Sequence, residues 1–156
     1  MILIQRPGQE PLEIEFILSD FEGTLATDQR IHPKVKDKIN LLSKRAKFYV
    51  FTTCEKERVS DVLRNVNAEV IYLKEGEVSR GKLNLLQQLG AHRAVAIGNG
   101  MNDMEMIEHS GLGIAVMNRE GTVAQVIDKA DLVFMNILEA LDFLLKPLRQ
   151  KATLGK

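Results

Sequence analysis

Cysteine is nearly missing from this chain: Cys54 is the only one in 156 residues, which excludes an intramolecular disulfide. A surplus of either charge is missing too. Lys plus Arg and Asp plus Glu both number 21, so nothing in the charge balance favours nucleic acid or an anionic membrane surface. No apolar run approaches the roughly 20 residues that a membrane helix needs. The first residues lack the basic, then apolar, then small-residue order of a secretory signal. The expectation is a cytoplasmic protein with no membrane and no nucleic-acid partner. The three histidines, His32, His92 and His109, fall far apart on different predicted elements, which argues against a histidine metal site. Repeats, low-complexity tracts and interdomain linkers are also absent. The chain therefore reads as one domain over residues 1–156, large enough to bury roughly two thirds of its unfolded surface.

What is present alternates. Met1 to Gln5 and Leu12 to Ser19 read as strands around the turn Arg6-Pro7-Gly8-Gln9, a hairpin expected to edge the sheet and lead into its centre. Pro33 and the spacing of Val35, Ile39 and Leu42 predict a helix over 33–45. Phe48 to Phe51 is a short buried strand, and Val59, Val62, Leu63 and Val66 mark the next helix. Glu69 to Leu73 is a strand, and Leu83, Leu86 and Leu89 mark a helix that Gly90 stops. The strand Arg93 to Ile97 ends in Gly98-Asn99-Gly100-Met101-Asn102-Asp103. Asn102 with Glu105 suggests a capping box for a helix ending at Gly111. Leu112 to Val116, a helix over 122–129, Leu132 to Met135 and a helix from an Asn136/Glu139 cap to Lys146 complete the series, and 147–156 is a basic tail. Strand and helix in regular exchange predict an α/β fold, a doubly wound, mostly parallel sheet in a three-layer sandwich.

Polar residues recur just after strands or at helix starts: Asp20 and Glu22, Thr52 and Thr53, Lys82, then Asn99, Asn102 and Asp103. A parallel sheet gathers such positions at one edge, where open α/β sheets bind ligands. Asp20-Phe21-Glu22-Gly23-Thr24-Leu25, Thr52, Lys82 and Gly98 to Asp103 resemble the four ordered motifs of the haloacid dehalogenase superfamily of phosphotransferases. Gly98 to Asp103 and Leu112-Gly113-Ile114-Ala115 are similar to the phosphorylation domain of P-type ATPases, and the whole chain resembles the soluble P-type ATPase-like phosphatases. Only a short segment separates Thr24 from Thr52, so no cap domain and no nucleotide-binding insertion are expected.

The resemblance implies a Mg²⁺-dependent phosphohydrolase acting on a small phosphorylated substrate, with Asp20 as nucleophile and an aspartyl-phosphate intermediate. It implies Glu22 as acid and base, where most relatives carry Asp, and Lys82 as the cation that steadies the nucleophile and the transferring phosphoryl group. Thr52, Thr53, Lys82 and Asn102 would contact phosphate. Asp20, the main-chain carbonyl of Glu22, Asp103 and Asn99 would hold the metal, Asn99 standing where many relatives have an acid. Cys54 is expected to be a bystander, and Met101, Met104 and Met106 to fill core. A phosphate- or metal-binding regulatory module with little turnover is the alternative. A receiver-type signalling domain is more distant, since its phosphoacceptor usually follows the third strand. Capless relatives often assemble, so a homo-oligomer built through the hairpin and the tail is a further expectation.

Overall fold

The computed structural model describes residues 1–156. The chain opens with a hairpin, β1 (Ile2–Ile4) paired antiparallel to β2 (Leu12–Ile14), which forms a sheet of its own. Six parallel strands follow, with helices between them. They are β3 (Phe16–Asp20), β4 (Lys47–Thr52), β5 (Glu69–Tyr72), β6 (Ala94–Gly98), β7 (Leu112–Val116) and β8 (Leu132–Phe134). Spatial order is β5-β4-β3-β6-β7-β8, so the chain winds outward from β3 in one direction and returns to wind outward in the other. The reversal lies between β3 and β6, where the flanking connections diverge and leave a crevice at the carboxyl ends of the strands.

Side chains along each central strand alternate between two cores, as the pleat requires. Ile17, Val50, Val95, Ile97 and Ile114 enter the larger cluster beneath α1 (Pro33–Ser43) and α6 (Ile137–Leu145). Leu18, Phe51, Ala94, Ala96 and Ala115 face the smaller one beneath α3 (Val78–Leu89), α4 (Met104–His109) and α5 (Ala124–Lys129). α2 (Lys56–Val62) links β4 to β5 and buries Val59. His32 caps α1 through Nδ1, which accepts from the Lys34 N–H at 3.0 Å, and the Asn136 carboxamide caps α6 by accepting from the Glu139 N–H at 3.0 Å. No domain is inserted: residues 21–32 connect β3 to α1 and residues 73–77 connect β5 to α3.

Two expectations are corrected. The hairpin does not edge the main sheet. Ile2, Ile4 and Ile14 are buried in the larger core, while Glu15 breaks the run and bonds by its backbone to Arg93 and Lys47 as the chain enters the sheet. The basic tail is a helix, α7 (Pro147–Leu154), clamped by Gln150. That buried carboxamide accepts from the Gln5 N–H at 3.1 Å and donates to the Phe143 carbonyl at 2.8 Å. Hairpin and tail thus cover one another at the amino ends of the strands, opposite the crevice. No helix is long and apolar enough to cross a membrane.

Candidate active site

Asp20 is the last residue of β3, Thr52 the last of β4, and Gly98 the last of β6. Strands of matched register therefore deliver their following loops to one place. A cavity of about 270 Å³ there is lined by Asp20, Glu22, Thr52, Thr53, Val78, Lys82, Asn99, Gly100 and Asn102. Larger hollows of about 540 and 740 Å³ lie at the amino ends of β4 and β5 and beside α1 and α6, but neither holds a buried charged group.

Three charged residues of the chain are buried, Asp20, Lys82 and Asp103, and they touch. Lys82 comes from the first turns of α3 and its Nζ donates to Asp20 Oδ1 at 2.9 Å, Asp103 Oδ1 at 2.6 Å and Asn102 Oδ1 at 2.8 Å. An ammonium has three protons, and all three are used. Burial alone would lower its pKa, but the charges and hydrogen bonds of Asp103 and Asp20 outweigh it and raise the pKa, so Lys82 is an ammonium. Phe51 lends its ring face 5.9 Å from Nζ. Asp20 has the opposite problem. Desolvation first, then the like charge of Asp103, outweighs Lys82 and pushes its pKa up to about 8. One ammonium does not balance two buried carboxylates.

The two carboxylates differ in what they have left to offer. Asp103 has no exposed surface; Oδ2 accepts the Asn99 and Gly100 N–H groups, each at 3.0 Å, and Oδ1 faces Lys82. Its side chain folds so tightly over Gly98 that a Cβ there would lie 2.3 Å from the Asp103 Cγ, so no larger residue fits. Asp20 Oδ2, by contrast, has no partner and is reached by solvent. It is the free carboxylate oxygen of the cluster.

Glu22 folds back toward β4. Its Oε1 accepts the Thr52 hydroxyl at 2.5 Å and the Cys54 thiol at 2.8 Å, while Oε2 is unpaired and reached by solvent. The Thr52 oxygen also accepts the Cys54 N–H at 3.0 Å. A hydroxyl has one proton, so in this arrangement Thr52 has none left for a phosphoryl oxygen. The N–H groups of Glu22 and Thr53 have no acceptor within the chain. Both residues line the cavity, which leaves two backbone donors on adjacent loops for an anion.

The sequence assignments thus converge on one cavity, with unequal positions. Asn102 does not cap α4; its carboxamide turns to Lys82, and α4 starts only at Met104 after a short 3₁₀ turn. Cys54, outside the cavity lining, touches Glu22 Oε1 through its thiol. Asn99 is a strap: Oδ1 accepts the Thr24 hydroxyl at 3.1 Å and Nδ2 donates to the Gly121 carbonyl at 2.9 Å. Gly23, with φ +75, leaves room for it, since a Cβ would meet Asn99 Nδ2 at 2.6 Å. The Cys54 contact was hidden because it depends on the path of the loop after β4, which residue spacing does not show.

A hard divalent cation fits part of this donor set. Oxygen ligands are what Mg²⁺ takes; Asp20 Oδ1 keeps a lone pair beside its one bond to Lys82, and the Glu22 carbonyl accepts no hydrogen bond within the chain. The uncompensated negative charge of Asp20 and Asp103 points the same way. Asp103 and Asn99, the other two expected ligands, have their oxygens engaged within the chain, with Lys82, with the Asn99 and Gly100 N–H groups and with the Thr24 hydroxyl.

A model of haloacid dehalogenase-like hydrolases matches residues 80–135, the stretch that carries Lys82 and the Gly98–Asp103 loop. An uncharacterized protein of Methanocaldococcus jannaschii is 38% identical over 84 residues, 51% of this chain and 90% of that one. The fold is similar to that of 3-deoxy-D-manno-octulosonate 8-phosphate phosphatase from Moraxella catarrhalis, solved with a magnesium ion, a phosphate ion and a KDO molecule (TM-score 0.71, 15% identity, 86% of this chain and 87% of that one). The cobalt-bound form of the deoxy-D-mannose-octulosonate 8-phosphate phosphatase from Haemophilus influenzae is similar too (TM-score 0.71, 18% identity, 89% of this chain and 88% of that one). At such identities the likeness is one of fold. With the doubly wound sheet, the absent cap and the matched Lys82 and Asp103 segment together, the chain belongs to the haloacid dehalogenase-like hydrolases.

Proposed function

We propose that the protein is a Mg²⁺-dependent phosphohydrolase that cleaves a small phosphorylated metabolite through a phosphoryl group carried on Asp20. One observation carries it: Asp20 presents a free, solvent-reached Oδ2 while Lys82 holds its Oδ1, in a cavity whose loops have unpaired N–H groups at Glu22 and Thr53. The small enclosed volume suits a phosphoryl group, and its open mouth admits the rest of a substrate.

The steps follow from these positions. The Glu22 and Thr53 N–H groups and the Asn102 carboxamide bind phosphoryl oxygens, and Lys82 faces them with a fixed positive charge. Asp20 Oδ2 attacks phosphorus as the bond to the leaving oxygen breaks, and Glu22 gives that oxygen a proton. Water then attacks the acyl phosphate, the bond from phosphorus to Asp20 breaks, and the Glu22 carboxylate takes the proton from water. Inorganic phosphate leaves, Asp20 is again a carboxylate and Glu22 is again protonated. Bound between Asp20 and the Glu22 carbonyl, Mg²⁺ would supply charge neutralisation for the carboxylate and the transferring oxygens.

The test is phosphate release from a broad panel of phosphomonoesters, with Mg²⁺ and with Asp20→Asn as control. Release that needs both Mg²⁺ and Asp20 is expected; no release from any member, or full activity in Asp20→Asn, would end the proposal. A phosphate-holding module with little turnover is the second candidate. It is favoured by the double hold on Glu22 Oε1, and tight phosphate binding without turnover would select it.

A further inference from the structure

Glu22 and Cys54 lie 32 positions apart, on the loops after β3 and β4, and the thiol sulfur stands 2.8 Å from Glu22 Oε1. The Thr52 hydroxyl donates to the same oxygen. Both donors converge on Oε1, and Oε2 stays free on the solvent side. A glutamate has one more rotatable bond than an aspartate and would lose definition in an open cavity. Here its extra reach carries the carboxylate onto the β4 loop, where two donors fix it.

We propose that Cys54 is a positioning residue for proton transfer: its thiol, with the Thr52 hydroxyl, fixes Glu22 Oε1 and leaves Oε2 as the oxygen that exchanges the proton. This rests on the phosphohydrolase function proposed above. The two holds are not equivalent during turnover. Thr52 has one proton, so whenever its hydroxyl turns to a phosphoryl oxygen it releases Glu22. Cys54 is then the donor that remains on Oε1. Half-buried and without a histidine beside it, Cys54 is placed to hold and not to attack.

The experiment is a double-mutant cycle on the full chain with the best phosphomonoester of the panel. Cys54→Ala is expected to lower kcat roughly 3- to 10-fold, the worth of one hydrogen bond, with KM unchanged. Cys54→Ser, which keeps a donor in place, recovers most of that loss. In a Glu22→Gln background Cys54→Ala has little further effect. Equal losses in both backgrounds, or no rescue by serine, would overturn the proposal. A second readout needs no turnover: Cys54 is the only cysteine, so iodoacetamide reports on it alone. Alkylation is expected to speed up several-fold in Glu22→Ala, and an unchanged rate would show that the contact does not exist in solution. A wild type that releases no phosphate would defeat the phosphohydrolase function itself, and the alkylation rates would still decide the contact.

Discussion

Lys82 Nζ and Asp103 Oδ1 lie 2.6 Å apart, shielded from bulk water, the side chains being 1% and 0% exposed. Such a pair is costly to form and costlier to break, because removing one partner leaves the other charge buried alone. Lys82→Met should therefore destabilise the fold by about 3–5 kcal/mol. Asp103→Ala should do at least as much, since the Asn99 and Gly100 N–H groups lose their acceptor as well. Urea denaturation measures both. A loss under ~1 kcal/mol for either would mean that water reaches the pair.

Asp20 gives a prediction with a sign. Its folded pKa, about 8, is above its ordinary value of 3.8, so the folded chain binds the proton more tightly than the unfolded one. Metal-free protein should lose stability as pH rises from about 4 to about 8 and should level off above that. Asp20→Asn removes the titrating group and should flatten this part of the profile, leaving the variant more stable than wild type near pH 8 in chelator while abolishing turnover. Thermal melts at several pH values check it. Parallel profiles for the two proteins would exclude Asp20 as the source.

Asn99→Asp bears on the metal. The change removes the Nδ2 bond to the Gly121 carbonyl and adds a carboxylate near Asp20 and Asp103. Charge count sets affinity for hard cations, so Mg²⁺ should bind roughly tenfold tighter, while the metal-free protein melts lower. Calorimetric titration with Mg²⁺ tests the first half; weaker binding would show that the Asn99 strap matters more than the charge.

Much of this was legible in the chain. Period-two burial at Ile17 and Leu18, or Val50 and Phe51, follows from apolar runs that only a parallel sheet covers on both faces, and with it comes the edge that gathers Asp20, Thr52, Lys82 and Asp103. Less legible was what each polar group does once gathered. Asn102 looked like a cap because the Asn-x-x-Glu spacing is a cap signature, yet a buried ammonium needing a third acceptor competes more strongly than a helix end open to water. Cys54 and Gln150 act through contacts across 32 and 145 positions, and local pattern says nothing of those distances. The hairpin was misplaced for a similar reason, since alternation marks a strand but not the sheet it joins.

The pair Lys38 and Asp142 ties α1 to α6 across the larger core, Nζ to Oδ1 at 2.7 Å. The Lys38 ammonium at this distance is the main cause that lowers the Asp142 pKa below its ordinary 3.8, against a smaller effect of burial. A carboxylate depressed in the folded state stabilises it above the unfolded pKa, and that gain disappears as pH falls through the folded value. Asp142→Asn should cost about 0.5–1 kcal/mol at pH 7, the scale of a partly exposed pair. As pH falls from 7 through the unfolded and then the folded value the two proteins should converge, because wild-type Asp142 becomes protonated in both states. Urea midpoints along a descending pH series make the comparison. A gap that keeps its size down the whole series would assign the loss to packing of α1 on α6 instead of to the charge.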